Sequence, residues 1–392
     1  MKPWILALSA FLALGGAARA DFDSCKERIK AQAVAKGMSP AMLARALDDL
    51  QPNDAASFLG KQPEFSTPIW DYVAGLVDAE RIRDGRQRFS ENKQAALAAQ
   101  RRFGVDAAAV VAVWGVESDF GKSFGTRPII QSLATLACTP NRRSEYFHGE
   151  LLSALKIVNS GDVVLESFMG SWAGAFGNTQ FMPSTFLSLA VDMDGDGKRD
   201  VFNSVPDALG STANFLHRAG WVAGLPWGFE VKLPADYHGP SGRGGKQALA
   251  AWAGRGLTRI DGSPLSGPGA YGLLLPAGPR GPAFLVSRNF DAFYSYNAAE
   301  SYALAIGLLS DGIRGGGGIV APWPTDDPGL DRVERREVQV MLESRGYDVG
   351  GKHDGVMGTK TREAIADYQA RLGLKRDGRA GKKLLAALRA GK

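Results

Sequence analysis

One acidic residue, Glu117, ends a long apolar stretch of the sequence. The segment from Val105 to Glu117 reads VDAAAVVAVWGVE, and Asp106 is placed to cap a helix. A helix that is apolar on all sides is expected to be buried. A carboxylate at its C-terminal end would be desolvated and would face the negative end of the helix dipole, and both effects raise its pKa. Glu117 is therefore a candidate general acid. The alternative is a carboxylate that pairs with Lys122 and only closes the helix.

A second candidate region, residues 170–185, reads GSWAGAFGNTQFMPST. Ligand clefts combine aromatic surfaces with a few amide or other polar groups, and glycines let a sugar approach the backbone closely. A glycine-rich packing turn is the alternative. If this segment lines a ligand cleft, the candidate side chains are Trp172, Phe176, Gln180, Phe181 and Met182.

Residues 192–203, DMDGDGKRDVFN, follow the spacing of an EF-hand calcium loop. Asp192, Asp194 and Asp196 take positions 1, 3 and 5. Gly197, the Lys198 carbonyl and Asp200 take positions 6, 7 and 9. Position 12 is Asn203, where the usual loop has a bidentate Glu. The oxygen ligands predict Ca²⁺, and an acidic turn without metal is the alternative.

The N-terminus predicts export. Residues 1–20 contain Lys2, an apolar run and the small-residue ending Ala18-Arg19-Ala20, which together are typical of a secretory signal. No later stretch is long and apolar enough to span a bilayer. We therefore expect a soluble, exported protein whose mature chain begins near Asp21.

The sequence contains two cysteines, Cys25 and Cys138. In an oxidising compartment a single long-range disulfide is the simplest pairing. Two unpaired thiols are the alternative. A lipid anchor on Cys25 is not expected, since Phe22-Asp23-Ser24 lacks the small apolar residues that precede a lipidated cysteine.

Composition divides the chain near residues 313–330, where Gly315–Gly318 and three prolines predict a flexible segment that passes into a stiffer one. Helical periodicity dominates before it. A Gly/Pro-rich region, 225–282, has short strand-like runs in or beside it at Tyr271–Leu275 and Ala283–Val286. The chain is therefore expected to be mainly α, of the α+β class, with more than one domain.

The tail, residues 331–392, predicts three short one-sided helices. An Asp-Gly-x-x-Gly turn begins at Asp354 and recurs at Asp377, with glycines that suggest positive φ. The tail carries 15 Lys or Arg against nine Asp or Glu. This surplus suits an anionic polymer, namely peptidoglycan or a lipid surface before nucleic acid. A solvated helical surface is the alternative.

Several ordered strings resemble the lytic murein transglycosylase B family of lysozyme-like enzymes. They are WGVESDFGKSFG, GSWAGAFGNTQFMPS, NSVPDALGS and YNAAESYALAIG, within about residues 22–309. The tail resembles the three-helix peptidoglycan-binding domain. The resemblance implies a lysozyme-like catalytic domain with a helical flanking region and a small β insertion (21–312) and a binding domain (331–392). With the signal peptide (1–20) and the Gly/Pro linker (313–330) predicted above, these segments account for the whole sequence.

The resemblance also implies roles for individual residues. Glu117 matches the catalytic acid/base, and Asp207 would complete the calcium site. Asn178 receives no role, because related sequences often differ there. The residues that match the sugar cleft are Tyr72, Gln180, Tyr296, Asn297 and Tyr302.

The implied activity is that of a peptidoglycan lytic transglycosylase, a carbon–oxygen lyase. It would cut the MurNAc–GlcNAc β-1,4 bond, leave 1,6-anhydro ends and serve wall turnover. The expected partners are peptidoglycan strands in the periplasm and other cell-wall enzymes, with no nucleic acid and no organic cofactor. The alternatives are a hydrolytic muramidase and a non-catalytic wall-binding scaffold.

Overall fold

The computed structural model describes residues 9–60 and 66–391. The predicted signal begins in residues 1–8, which lie outside the described residues, and its cleavage stays a prediction. Within the described ranges, no helix combines the length and the apolarity needed to cross a membrane. The chain forms two compact units, one of Met1–Gln62 with Glu117–Phe215, the other of Pro63–Val116 with Leu216–Lys392.

The described chain is mainly helical, with small antiparallel sheets, as predicted. The helices are α1 Ser9–Ala35, α2 Pro40–Leu47, α3 Ile69–Leu76, α4 Ala79–Glu91, α5 Lys93–Phe103, α6 Ala107–Ser118, α7 Ile129–Cys138, α8 Ser144–Ser160, α9 Pro183–Leu189, α10 Val205–Arg218, α11 Leu249–Ala253, α12 Arg288–Asn297, α13 Glu300–Ile313, α14 Arg332–Glu343, α15 Thr359–Arg371 and α16 Lys382–Arg389. The strands are β1 Arg127–Pro128, β2 Met169–Gly170, β3 Gly228–Lys232, β4 Gly242–Ala248, β5 Thr258–Arg259, β6 Ala270–Leu274 and β7 Ala283–Val286. Short 3₁₀ helices lie at Ala55–Phe58 and Leu165–Ser167.

The first unit is built around the pair α7 and α8. Helix α8 also packs against α9, and α1 packs against both α7 and α8. A disulfide joins Cys25 on α1 to Cys138 at the end of α7, with 5.7 Å between their Cα atoms. The predicted pairing is confirmed. It links residues 113 positions apart, and a cross-link over a loop of that length contributes about 3–5 kcal/mol by restricting the unfolded chain.

The second unit contains a five-stranded antiparallel sheet in the order β4-β6-β7-β3-β5. The two predicted strands are present, at Ala270–Leu274 and Ala283–Val286. Its core includes Trp252 and Tyr271, whose indole nitrogen and backbone carbonyl form a 2.7 Å hydrogen bond. Beside the sheet, α12 packs on α13, and α13 packs on α3 and α4.

The three tail helices, α14 to α16, are the three predicted one-sided helices. Their apolar sides enclose one core. A buried glutamine holds each repeated turn. Gln339 Oε1 accepts a hydrogen bond from Gly355 N–H at 2.8 Å, and Gln369 Oε1 accepts one from Gly378 N–H at 2.9 Å. Gly355 and Gly378 have positive φ, as predicted. Gly358 and Gly381 do not, because each is a helix N-cap with extended backbone.

The predicted linker is hydrogen-bonded to other parts of the second unit at several points. Backbone N–H groups of Val320 and Ala321 donate to the two carboxylate oxygens of Glu230 on β3, each at 2.8 Å. Further on, Pro328 O accepts a hydrogen bond from Lys382 N–H at 3.0 Å. The exact limits of the predicted segments stay predictions, but residues 216–392 belong to one compact unit.

Candidate functional site

Glu117 is the penultimate residue of α6 and is half-buried. The helix begins as predicted, since Asp106 Oδ1 accepts a hydrogen bond from Ala109 N–H at 3.0 Å. Its middle is fully buried from Val110 to Val113. A rigid, buried helix therefore carries a carboxylate to a position that solvent partly reaches. Lys122, the pairing partner considered above, lies 4.0 Å from a carboxylate oxygen of Asp119.

The backbone turns sharply directly after Glu117 and Ser118. Asp119, Phe120 and Gly121 have φ values of 50°, 58° and 83°. Non-glycine residues adopt this left-handed region at an energetic cost, and such strain often occurs at functional sites. Ser118 stabilises the turn, because its Oγ accepts a hydrogen bond from Gly121 N–H at 3.2 Å.

The glycine-rich loop 170–185 is tied to the end of α6. Ser118 Oγ donates to Asn178 O at 2.9 Å. Two residues on, Gln180 is half-buried with φ 48°, and its Nε2 donates to Gly177 O at 3.0 Å and to Phe124 O at 3.2 Å. These bonds fix the direction of the Gln180 side chain. The structure thus brings the segments of Glu117 and Gln180 together in the first unit.

Asn178, which received no role from the sequence, anchors this loop. It is 3% exposed, and its Nδ2 donates to Val201 O at 3.0 Å and Phe202 O at 2.9 Å. Its backbone N–H also donates to Val201 O, at 2.9 Å. The partners lie more than 20 residues away in sequence, so no local pattern could have revealed them.

The aromatic residues of the loop are mostly core residues. Phe176 and Phe181 are fully buried, and Phe176 packs edge-on against Phe168 with ring centroids 4.9 Å apart. Their rings fill the interior, so these two residues do not form the aromatic surface of a ligand cleft and fit the alternative of a packing turn. Trp172 is half-buried and stacks on Phe58 with ring centroids 5.9 Å apart.

A buried carboxylate that sequence reasoning missed supports the end of the loop. Glu150 on α8 is 4% exposed and accepts hydrogen bonds from Ser184 N–H at 2.9 Å and Ser184 Oγ at 2.6 Å. Ser184 lies in the first turn of α9, where free N–H groups and the helix dipole favour a negative charge.

The other predicted cleft residues lie in the second unit. Tyr296 and Asn297 end α12, and a left-handed Ala298 (φ 47°) turns the chain into α13. Tyr302 on α13 is buried and stacks on Tyr296 with ring centroids 6.2 Å apart. Tyr72 is half-buried on α3, which packs on α13. The predicted residues thus form two groups, Glu117 with Gln180 in one unit and the remaining four in the other.

The acidic loop brings together the carboxylates of Asp192, Asp194 and Asp196, with one oxygen from each within 4.8 Å of the others. This cluster of hard oxygen donors fits calcium. Asp207 is fully buried and accepts hydrogen bonds from the N–H groups of Met193, Asp194 and Asp200 at 2.7, 3.3 and 2.9 Å. Burial raises the pKa of Asp207.

Asp207 thus stabilises the loop through its backbone N–H groups. It is not one of the three carboxylates that cluster among the described residues. The ligand roles of Asp207 and of the Lys198 carbonyl stay predictions.

Two protein families match the chain. Residues 21–311 match the Transglycosylase SLT domain, and residues 331–388 match a peptidoglycan binding domain. Among curated proteins, the membrane-bound lytic murein transglycosylase B of Escherichia coli is 31% identical over 279 residues, which cover 67% of this chain and 73% of that protein.

Solved structures similar to this chain include two lytic transglycosylases. SltB3 from Pseudomonas aeruginosa, in complex with NAG-anhNAM-pentapeptide, is 44% identical with a TM-score of 0.75, and the match covers 94% of this chain and 99% of SltB3. The Escherichia coli lytic transglycosylase Slt35, in complex with calcium, is 28% identical with a TM-score of 0.65, covering 74% of this chain and 92% of Slt35.

Proposed function

The chain belongs to the lytic murein transglycosylases, a family of peptidoglycan-cleaving lyases, and from this premise we propose that Glu117 is its single catalytic acid/base. The observation that carries the proposal is the position of this carboxylate, half-buried at the end of a rigid helix that is bonded to the Gln180 loop. The proposed substrate is the MurNAc–GlcNAc β-1,4 bond of peptidoglycan. The SltB3 complexes with NAG-anhNAM-pentapeptide and NAG-NAM-pentapeptide support this substrate class.

The proposed reaction needs one carboxyl group used twice. Glu117 first gives its proton to the glycosidic oxygen as the bond from that oxygen to MurNAc C1 breaks. The carboxylate then takes the proton of the MurNAc C6 hydroxyl as that oxygen bonds to C1. The product is a 1,6-anhydro sugar, Glu117 is protonated again, and no water is consumed. Ordinary glycosidases use a second carboxylate. Here the substrate's N-acetyl group and dipoles near the site would stabilise the positive charge at C1.

The other parts of the proposal concern location and binding. The N-terminal sequence supports export to the periplasm, and the match of residues 331–388 supports wall binding by the tail. When bound at Asp192, Asp194 and Asp196, Ca²⁺ would supply positive charge that holds the loop closed. Gln180, Tyr72, Tyr296 and Asn297 would contact sugar, and the buried Tyr302 would support the ring of Tyr296 on which it stacks.

Substitution of Glu117 tests the proposal. Glu117→Gln keeps the shape of the side chain and removes both proton transfers, so turnover of purified sacculi should fall by about 10²–10⁴-fold or more. Binding to sacculi and the melting temperature should be retained. Glu27→Gln, which changes an exposed carboxylate on α1, is the matched control and should be fully active.

The products distinguish the alternatives. Mass spectrometry of wild-type digests should find muropeptides one water lighter than those from lysozyme. Normal reducing ends would instead identify a hydrolytic muramidase that still uses Glu117. A fully active Glu117→Gln protein would refute the site assignment, and a wild-type protein without turnover would favour the scaffold alternative.

A further inference from the structure

Four arginines of the tail face acidic residues on α3, on α4 and at the N-cap of α4, within the second unit. The arginines are Arg332, Arg335, Arg336 and Arg379, and the acidic face comprises Asp71, Asp78 and Glu80. Both sides are therefore charged, and their signs are complementary. Such complementarity fixes the orientation of two surfaces.

Asp71 is the centre of this contact. Its side chain is buried, with 6% of the residue exposed. The guanidinium of Arg379 binds it in a two-pronged arrangement, with Nε donating to Oδ2 at 2.6 Å and Nη2 to Oδ1 at 2.8 Å. This bidentate geometry is among the strongest of charged hydrogen bonds. Because Asp71 is buried, loss of Arg379 would leave an unpaired carboxylate there.

A second arginine binds the backbone of the same helix. Arg335 Nη2 donates to Asp71 O at 2.9 Å. Gly75 permits this approach, because a Cβ at that position would lie only 2.3 Å from Arg335 Nη1. Helix α3 has eight residues, and helices of this length depend on tertiary contacts for their stability. The tail thus supplies part of what holds α3 in place.

The repeated turns of the tail differ at their third and fourth residues, and the difference at the third residue matches this contact. The third residue of the second turn is Arg379. Its counterpart in the first turn is Val356, which is 63% exposed. The second turn therefore carries the side chain that reaches Asp71, whereas the first turn faces solvent. The basic surplus of the tail is thus used in part inside the chain and is not all free for an anionic polymer.

We propose that docking of the tail domain on α3 positions Tyr72, with Asp71 as the positioning residue through which it acts. Tyr72 follows Asp71 directly, so a shift or loosening of α3 moves its ring. This inference rests on the proposed function, in which Tyr72 contacts sugar. It gives the tail domain a role in substrate binding by the catalytic region, in addition to attachment to the wall.

The test uses full-length variants and a short soluble glycan fragment, for which wall attachment is irrelevant. Arg379→Gln should raise KM about 10-fold, because a displaced Tyr72 ring would contact the sugar less well in the ground state and the transition state alike. Its kcat should stay within about twofold, since Glu117 is not moved. Arg376→Gln is the matched control: Arg376 is exposed and pairs with Asp367 inside the tail at 2.6 Å. It should leave KM unchanged. Arg379→Lys, which keeps the charge and loses the fork, should have an intermediate KM.

Hydrogen exchange gives a readout that does not need activity. The backbone amides of residues 69–76 should exchange faster in Arg379→Gln than in wild type or Arg376→Gln, while amides in the tail core stay protected. Equal KM and equal exchange in the two variants would overturn the inference. A wild-type protein that cleaves nothing would instead refute the proposed function. Hydrogen exchange does not depend on activity, so unchanged exchange at residues 69–76 in Arg379→Gln would by itself refute the positioning of α3 by the tail.

Discussion

Asn178 is the residue whose importance is least visible in the sequence. The buried side-chain amide of Asn178 donates to two backbone carbonyls. The backbone carbonyl of Asn178 accepts a hydrogen bond from Ser118, next to Glu117. Asn178→Ala leaves the carbonyls of Val201 and Phe202 without this donor. The free energy of unfolding should therefore fall by about 1–3 kcal/mol, and turnover should fall because the loop that holds Gln180 loosens. Urea denaturation and digestion of sacculi measure the two effects.

An asparagine of the same unit provides the control for that experiment. Asn159 is exposed on α8 and accepts one hydrogen bond, from Ser39 N–H. Asn159→Ala should cost less than about 0.5 kcal/mol, in the range of surface substitutions. If Asn178→Ala were as stable and as active as Asn159→Ala, the anchoring role of Asn178 would be wrong.

These residues show what a sequence can predict about a site. The surroundings of Glu117 come from its own helix, so the apolar run predicts a buried helix that ends at this carboxylate. Asn178 and Glu150 depend on partners 23 and 34 residues away. Their types and spacing carry no signal of those contacts, because a polar side chain is buried only when the fold brings it a partner.

The acidic loop allows a test of calcium at the level of one element. If Ca²⁺ binds Asp192, Asp194 and Asp196, it relieves the repulsion among their carboxylates in the folded state, so binding and folding are linked. A chelator should lower the melting temperature of wild type and have no effect on Asp194→Ala. The expected loss is about 3 kcal/mol when free calcium had been at 100 times its Kd. An unchanged melting curve, with tightly held metal excluded by elemental analysis, would reject calcium.

The strands show where sequence patterns succeed and fail. The apolar runs at β6 and β7 predicted strands correctly. A strand that is buried in a sheet needs apolar side chains, and this need is visible in the sequence. Strand β4, GRGGKQA, was missed, since glycine is depleted in strands and its residues are largely exposed. It is a strand only because it pairs with β6. At β4, tertiary pairing overrides local preference, and local preference is all that one sequence reveals.

At the scale of the whole molecule, some of the positive charge of the tail is paired with acidic residues of the same chain. The surplus of the tail indicated an anionic partner, and the structure shows that part of this partner is the chain's own α3 and α4. Acidic residues at positions 71 to 80 and arginines beyond 331 are more than 200 residues apart. Composition alone cannot assign such charges to each other. It also cannot show that the linker is hydrogen-bonded to Glu230 at Val320 and Ala321, directly after its glycines.

The docked arrangement should depend on pH through Glu80. The hydrogen bond from Arg336 holds the pKa of Glu80 below its ordinary value of 4.5. A carboxyl group with a lowered folded pKa stabilises the folded state fully above its unfolded pKa and loses that contribution as the pH falls through the folded value. Glu80→Gln should therefore lower the free energy of unfolding by about 1 kcal/mol at pH 7, the scale of partly exposed ion pairs. The difference from wild type should be constant down to about pH 5 and shrink below 4.5.

Urea denaturation of both proteins from pH 7 to pH 3 measures this difference directly, because effects of acid on the rest of the chain are common to the two. Glu27→Gln, at an exposed position on α1, should differ little from wild type at any pH. Salt should also reduce the Glu80 difference, since screening weakens partly exposed pairs. If the difference persisted unchanged at pH 3, Glu80 would act through the packing of its side chain, and the ion pairs with the tail would contribute nothing to the docked state.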